Sequence, residues 1–552
     1  MANEVRVTFL GGLGEIGRNC LAIEQDGRIV VVDAGLMFPE PTMYGVDIIL
    51  PDFRWLIERR DRVDAIVLTH GHEDHTGALR YLVKEVNVPI YGSALTLGFA
   101  RHRLSEAKVA SGLTFVEVVD GERRPIGPFE VEFIPVTHSV PSAHALAFHT
   151  RAGIVVHSGD FKLDQSPIDG RRTDLSRLAA LGDAGVALLL ADSTNAEAPG
   201  FTPSESSVGV ALRRLFLERP DRRIVVACFA SHIHRIQQIA DVAHETGRRL
   251  AFMGRSMEAN VKLARKLHLL RVDPADVIDV ENIPRFPPGE VCVVCTGSQG
   301  EPMAVLSKLS RGDARNFKVG ADDTIILSSH PIPGNEWSVG RVIDDLHREA
   351  SEVIDSSREP VHASGHARQG ELRTFHQLLR PANFVPVHGE YRHLVHHAEL
   401  AVSMGLSSKH VLICEDGDQI DITTKGIRRA GKVPAGFHYI DGAAGDLDER
   451  PLEERRMLAE YGVVLISVGV ERVTRSIVHE VAVSARGWFD GASDTQVLDS
   501  LRLAVREALG ESLTQGLIES DELTKSVQRA AGRLLGQRFR RQPVIMASVL
   551  VF

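Results

Sequence analysis

His70-Gly71-His72-Glu73-Asp74-His75 decides how this chain is read, because four potential metal ligands fall within it. The run Ala65-Ile66-Val67-Leu68-Thr69 ahead of it reads as a buried strand. Behind it, Thr76-Gly77-Ala78-Leu79-Arg80-Tyr81-Leu82-Val83 reads as the start of a helix. Packing gives no reason to crowd three imidazoles and a carboxylate onto one tight loop. Two adjacent divalent metals do, since imidazole suits zinc and related ions while a carboxylate serves either ion. A solvated polar loop is the plain alternative.

Working outward, three more strand-like runs end on a candidate ligand. Phe133-Ile134-Pro135-Val136-Thr137-His138 presents His138, Ile154-Val155-Val156-His157-Ser158-Gly159-Asp160 presents Asp160, and Asn383-Phe384-Val385-Pro386-Val387-His388 presents His388. Each is weak alone, because a lone histidine at a strand end is commonly a surface or satisfied polar residue. Joined to the opening cluster they supply the groups a dinuclear hydrolytic site needs, with one carboxylate bridging cations about 4 Å apart.

A chain of 552 residues, 43% hydrophobic, is long enough for about three or four domains and a substantial core. Met1-Ala2-Asn3-Glu4-Val5-Arg6-Val7 has no basic stretch leading an apolar one, so no secretory signal is expected, and no apolar run is long enough to span a bilayer. Cys20, Cys228, Cys292, Cys295 and Cys414 are scattered, which fits a reducing cytoplasm. Cys292 and Cys295 form an isolated CxxC inside Val291-Cys292-Val293-Val294-Cys295, which reads as two buried strand residues rather than a redox or zinc pair. The net charge of −10 argues against a globally basic nucleic-acid binder but leaves room for a local basic channel.

Residues 1–205 read as a strand-rich first domain, 206–355 as alternating helices and buried strands that imply a parallel sheet, and 356–440 as a strand-rich return. Small and acidic residues suggest a linker over 441–460, containing a charged helix from Leu452 to Glu460. The remainder, 461–552, reads as strand, strand, helix, helix, strand. Gly12-Leu13-Gly14-Glu15-Ile16-Gly17 matches a dinucleotide fingerprint, but that use needs a helix to begin there. The chain instead extends through Cys20-Leu21-Ala22-Ile23-Glu24, turns at Asp26-Gly27 and extends again through Ile29-Val30-Val31-Val32, so the glycines are expected to serve turns.

These motifs resemble the metallo-β-lactamase superfamily, and the inserted region resembles its β-CASP nuclease subgroup. Gly12–Gly17, Ala191-Asp192-Ser193-Thr194-Asn195-Ala196-Glu197, Thr296-Gly297-Ser298-Gln299-Gly300-Glu301-Pro302 and Pro386-Val387-His388-Gly389-Glu390 are similar to segments of the bacterial ribonuclease J family. The resemblance runs from Gly11 nearly to Phe552. Ser158, where many relatives carry Thr, and Ala198, where a basic residue is commoner, are its departures. It implies an α/β architecture: an αββα metallo-β-lactamase sandwich, an inserted α/β β-CASP domain and a small α+β C-terminal domain.

The resemblance also implies roles. One divalent ion would be held by His70, His72, His138 and Asp160, and its neighbour by Asp74, His75, His388 and the shared Asp160, with zinc as first choice and manganese as alternative. Asp33 would orient ligands from behind, or be a turn aspartate before Ala34-Gly35. Asp74, Asp192 and His366 would be catalytic; histidine at 366 tilts the substrate towards RNA, and a structural histidine is the alternative. Ser231, His232, Arg255 and Ser256 would hold a 5′-terminal phosphate, or cap helices and face solvent. His362 and Ser364 would meet the scissile phosphate. The implied activity is 5′-to-3′ exonucleolytic and endonucleolytic RNA hydrolysis in RNA maturation and decay, preferring single-stranded RNA with a 5′ monophosphate and leaving 5′ phosphates. A cytoplasmic homodimer joined through the C-terminal domain, without membrane attachment, completes the expectation; Arg529, Arg533, Arg538, Arg540 and Arg541 form a basic cluster in that domain or a solvated face. The rivals are a DNA nuclease or small-molecule hydrolase of the same superfamily, a diiron protein, and a noncatalytic RNA-binding subunit.

Overall fold

The apolar runs near the start pair as strands because they are short, β-branched and separated by tight turns. Cys20–Gln25 and Arg28–Val32 form a hairpin in which Gln25 faces Arg28. Its two-residue turn places Asp26 at φ +54° and Gly27 at φ +76°, the conformation that matches strand twist. The structure, a computed structural model, describes residues 4–299, 304–314, 317–332, 335–349, 352–423, 426–442, 445–488, 493–538 and 542–552.

That hairpin belongs to an eight-stranded sheet in the order Gly426–Lys432, Asp418–Thr423, Val5–Gly11, Cys20–Gln25, Arg28–Val32, Val63–Val67, Ile90–Gly92, Phe115–Glu117. A six-stranded sheet runs Phe384–Val387, Val186–Asp192, Gly153–His157, His144–Thr150, Phe129–Pro135, Arg123–Ile126. Phe9, Val32 and Val67 of the first meet Phe133, Leu146, Leu190 and Val385 of the second in one core. Helices Leu175–Ala184, Gln369–Leu379 and Tyr391–Ser403 cover the outer face of the second sheet through Leu178, Phe375 and Leu400. Helix Ala94–Glu106 lies against strands Ile90–Gly92 and Phe115–Glu117 of the first. The layers are those of the expected αββα sandwich.

Between them in sequence lies a parallel sheet ordered Arg249–Met253, Val291–Cys295, Arg223–Ala227, Asp323–Leu327, Glu352–Ile354. Helices Ser206–Leu217, Ile233–Glu245 and Arg255–Lys266 cover one face through Leu212, Ile236 and Val261. Helices Val305–Ser310 and Glu336–Arg348 cover the other through Leu306 and Val342. Double coverage explains why these strands are uninterrupted apolar runs. Cys292 and Cys295 are fully buried on opposite faces, and burial pushes the Cys292 thiol up to about 12.

One expectation changes. The helix expected from Thr76 is two single turns, Glu73–Thr76 and Leu79–Leu82. The break follows from Ala78, whose N–H bonds Ala34 O at 2.9 Å, and from Gly77, where a side chain would run into Leu36. Within 441–460, where a charged helix is expected from Leu452 to Glu460, helix Glu449–Tyr461 forms, preceded by strand Gly445–Leu447 with Tyr439 opposite Leu447.

The chain divides into two compact units, Met1–Phe38 with Ile48–His438, and Pro39–Asp47 with Tyr439–Phe552. In the second, Val463–Glu471 is flanked by antiparallel Ala482–Arg486 and parallel Val544–Val551. Helices Ser493–Thr514 and Ser520–Arg538 pack Leu501, Val505, Leu523 and Val527 onto Val464, Ile466 and Val468 of that sheet. Among the described residues no helix is long and apolar enough to cross a membrane.

Candidate metal centre

Strand ends deliver the candidate ligands. Gly153–His157, Val186–Asp192 and Phe384–Val387 are parallel neighbours, so Asp160, Asp192 and His388 leave the second sheet at one edge. Val63–Val67 and Arg28–Val32, also parallel neighbours, deliver His70 and Asp33 from the first sheet. The turns are tight enough that Asp33 and His388 adopt φ of +59° and +50°, a conformation that costs a side-chain-bearing residue about 1 kcal/mol or more and clusters at functional sites.

Donor atoms of His70, His72, His138 and Asp160 lie within 4.8 Å of one another, and so do those of Asp74, His75, Asp160 and His388. In the first group His72 Nδ1 is 3.2 Å from both His70 Nε2 and His138 Nε2. Asp160 Oδ2 is 3.7 Å from His70 Nε2 and 3.9 Å from His138 Nε2. In the second, His75 Nε2 is 3.2 Å from Asp160 Oδ2 and 3.6 Å from Asp74 Oδ2, and His388 Nε2 is 3.4 Å from Asp74 Oδ2. Asp160 Oδ2 and His388 Nε2 are buried without a hydrogen-bond partner, although buried polar atoms are almost always satisfied. Three imidazole nitrogens converging beside an unsatisfied carboxylate oxygen is a donor set that suits divalent cations. The residues present therefore fit a pair of such ions.

Atoms behind the candidate ligands fix which nitrogen points inward. Asp33 accepts from Thr69 N at 2.8 Å and Thr69 Oγ1 at 2.7 Å, and His75 Nδ1 donates to Asp33 Oδ2 at 2.7 Å, leaving His75 Nε2 for the centre. His138 Nδ1 donates to Gly365 O at 2.7 Å, leaving its Nε2 likewise. Second-layer bonds of this kind set tautomer and ring orientation. Asp33 thus occupies a left-handed turn and also bonds His75, a candidate ligand.

His366 Nδ1 donates to Asp192 Oδ2 at 2.8 Å beside these groups. Asp192 Oδ1 accepts from Thr194 N at 2.9 Å and Thr194 Oγ1 at 2.7 Å. His366 keeps 20% of its side chain exposed, while Asp192 is buried. Burial opposes charge on His366, but Asp192 and Asp160 raise it above the ordinary histidine value. Burial, reinforced by His75, pushes His70 well below that value, and burial brings His72 down to about 4. Burial also opposes charge on His75 and His388, yet Asp160 holds both well above the usual range.

The phosphate-binding candidates are less assembled. Ser231 and His232 follow strand Arg223–Ala227, and Arg255 and Ser256 open the helix after Arg249–Met253, so both pairs lie beyond the carboxyl ends of parallel strands, a common ligand position. His232 is buried and caps the next helix, its Nδ1 accepting from Arg235 N at 3.2 Å, while its Nε2 makes no hydrogen bond and lies 3.6 Å from Glu205 Oε2. Arg255 and Ser256 are exposed. His362 stacks on His330 at 6.4 Å, its Nδ1 buried without a partner, and burial carries it down to about 3. Ser364 Oγ accepts from Asn195 Nδ2 at 2.9 Å and from His366 N at 3.2 Å. In the second unit Arg529 and Arg533 are exposed; the side chain of Arg538, and all of Arg540 and Arg541, lie outside the described residues.

Reading the sequence missed Asn19 and Asn195. The Asn19 carboxamide sits 3.0 Å from His75 Nε2, and its backbone N–H bonds Asp74 O at 2.9 Å. Asn195 Nδ2 also donates to His366 O at 3.1 Å, tying the Asp192 turn to the His366 loop. Both lie inside quoted motifs, Asn19 two residues beyond the glycine fingerprint and Asn195 three beyond Asp192, and that proximity was the available signal.

Comparison with known proteins places the same segments. The metallo-beta-lactamase superfamily model matches residues 13–225, and a Zn-dependent metallo-hydrolase RNA specificity domain model matches 354–414. Models of the ribonuclease J beta-CASP and C-terminal domains match 221–346 and 451–551. Ribonuclease J of Mycolicibacterium smegmatis is 42% identical over 548 residues, covering 99% of this chain and 97% of that protein. The chain belongs to the ribonuclease J family. Ribonuclease J of Corynebacterium glutamicum is 38% identical, covering 100% of this chain and 76% of its own length, and that of Helicobacter pylori strain 26695 is 35% identical over 98% and 79%. A solved Enterococcus faecalis protein of unknown function, 17% identical, shares the fold with a TM-score of 0.53 over 76% of this chain and 100% of that one. Membership of the ribonuclease J family supports a metal-dependent ribonuclease, and its metallo-β-lactamase domain implies divalent metals, which the His/Asp groups could bind.

Proposed function

We propose that this chain hydrolyses RNA phosphodiesters with both 5′-to-3′ exonuclease and endonuclease activity, leaving 5′ phosphates. The observation that carries the reading is the Asp192–His366 pair bonded at 2.8 Å beside two donor groups that share Asp160. His70, His72, His138 and Asp160 would hold one ion, and Asp74, His75, His388 and Asp160 the other. Two such cations, when bound, make water acidic enough to attack near neutral pH and offset charge on the phosphate.

The protein's own groups complete the reaction. Asp74, 27% exposed against 2% for Asp160 and 1% for Asp192, takes the proton of the attacking water. With Nδ1 committed to Asp192, His366 carries its other proton on Nε2 and gives it to the departing 3′ oxygen. Asp192 stabilises the charged ring before transfer and keeps it oriented. Ser231, His232, Arg255 and Ser256 hold a 5′-terminal phosphate, and His362 and Ser364 the scissile one; hydroxyls, imidazoles and guanidinium are suited to phosphate oxygens. Five buried, free cysteines among the described residues accord with a cytoplasmic setting.

Purified protein incubated with end-labelled RNA and DNA, with and without chelator, tests the reading. Cleavage of RNA that stops on chelation and returns with zinc or manganese is expected. DNA cleaved equally well, or RNA cleavage indifferent to chelator, rejects it. Equal exonuclease rates on 5′-monophosphate and 5′-triphosphate RNA would remove the terminal pocket from the scheme.

A further inference from the structure

A third cluster of donor atoms meets at this centre. Asp160, Asp192, His366 and His388 each offer one ligand atom within 4.8 Å of the others. Of the two residues shared with the first groups, His388 presents its other nitrogen here. Asp160 turns Oδ2 towards His70 and His75, and His388 turns Nε2 towards Asp74. On the far side, Asp160 Oδ1 lies 2.9 Å from His388 Nδ1, which is 3.6 Å from Asp192 Oδ1. His366 Nδ1 lies 2.8 Å from Asp192 Oδ2 and 4.0 Å from Asp160 Oδ2, the oxygen that also faces His70 and His75. Ligand atoms about 2.0–2.2 Å from a tetrahedral ion stand roughly 3.3–3.6 Å apart, and the neighbouring donors here, spaced at 2.8–4.0 Å, bracket that range, so the carboxylates must rotate to share one ion.

We propose that Asp192, His366, Asp160 and His388 Nδ1 form a third, weaker divalent-cation site whose occupancy inhibits the enzyme. Two nitrogen and two oxygen donors favour zinc over magnesium. Filling the site replaces two hydrogen bonds, His366 Nδ1–H to Asp192 and His388 Nδ1–H to Asp160, with one ion; two protons leave to solvent as two positive charges enter. Three costs make it weaker than the first two: those hydrogen bonds are lost, His388 must give up its remaining ring proton, and neighbouring cations repel the newcomer. The exposed fifth of His366 gives the ion a way in. Once there it holds the imidazole Nδ1 and the Asp192 carboxylate that the proposed proton transfer uses. The inhibitory consequence rests on that reading of His366; the binding does not.

Full-length protein equilibrated against rising free zinc, with bound metal counted by elemental mass spectrometry, tests the site. The wild type is expected to fill a tight pair and then a third, weaker position, and its RNA cleavage to be lost as the third fills. His366→Gln, which alters no residue of the first two groups, is expected to stop at the pair. Saturation of the wild type at two ions overturns the proposal, and so does a third ion retained by His366→Gln. A third ion that leaves cleavage unchanged overturns the inhibition. Anomalous scattering from zinc-soaked wild-type crystals decides the location without a variant: a peak between His366 and Asp192 is expected, and only two peaks at saturating zinc reject it. Should RNA cleavage fail under every condition, the metal count still decides the site while the functional reading falls.

Discussion

His366 and Asp33 act through different atoms, so their loss should be distinguishable. His366 lies outside the two groups assigned to the metal pair. Replacing it with alanine should lower turnover by about 10²–10⁴-fold, the usual contribution of a general acid, with the pair's metal content unchanged. Turnover that survives would remove His366 from the chemistry. Asp33 instead accepts from His75 Nδ1 and from Thr69. Asp33→Ala should weaken metal affinity about 10–100-fold, as loss of a partner behind a ligand typically does. Competition with a chromogenic chelator would measure it, and unchanged affinity would leave Asp33 a turn residue only.

At the level of elements, the glycine fingerprint closes the centre rather than a nucleotide pocket. Gly12 O accepts from His388 N at 3.1 Å, and Gly35 N donates to Asn19 O at 3.0 Å. Gly12, at φ +90°, leaves no room for a side chain against Asn19, and a Cβ on Gly35 would overlap the Asp74 carbonyl. Gly35→Ala should therefore cost about 1–3 kcal/mol of stability, as overpacking does, and release metal more readily. Thermal unfolding with and without zinc would show both; a variant identical to wild type would contradict the close approach. The hairpin, the parallel inserted sheet and the order of elements in the tail were legible because strand length, turn residues and apolar period are local properties. The break at Gly77–Ala78 was not, because a hydrogen bond to distant Ala34 interrupts the helix.

Across the whole molecule, one buried ion pair anchors the insertion. Arg235 Nη2 donates to Glu205 Oε2 at 2.9 Å, and its Nη1 donates to Ser328 O at 2.8 Å and Val361 O at 3.0 Å. Glu205 N in turn bonds Asp164 Oδ2 at 2.8 Å. Burial alone would raise Glu205, but Arg235 and His232 hold it well below the ordinary carboxylate range. A depressed carboxylate contributes stability above its unfolded value of about 4.3, and the contribution fades as pH falls towards its folded value. Glu205→Gln should thus destabilise at pH 7 and flatten the loss of stability on acidification below about pH 4; an unaltered acid limb would oppose this. In the second unit, Leu465, Met546 and Leu550 are 41%, 53% and 58% exposed on the sheet face away from Leu501 and Val505, the face that the homodimer expected from the resemblance would bury. Changing Met546 and Leu550 together to lysine should give monomers by light scattering, and an unchanged oligomer would move the contact elsewhere.

The residue types of the centre were determined by the sequence itself: His70 to His75 are contiguous, and His138, Asp160 and His388 each close a readable strand. Tertiary structure alone decided which atom of each residue faces which neighbour. His388 divides its two nitrogens between Asp74 and Asp160, and His138 is oriented by Gly365, 227 residues away. Periodicity and turn chemistry act over a few neighbouring residues, whereas donor direction depends on sheet pairing, left-handed turns and bonds between distant segments.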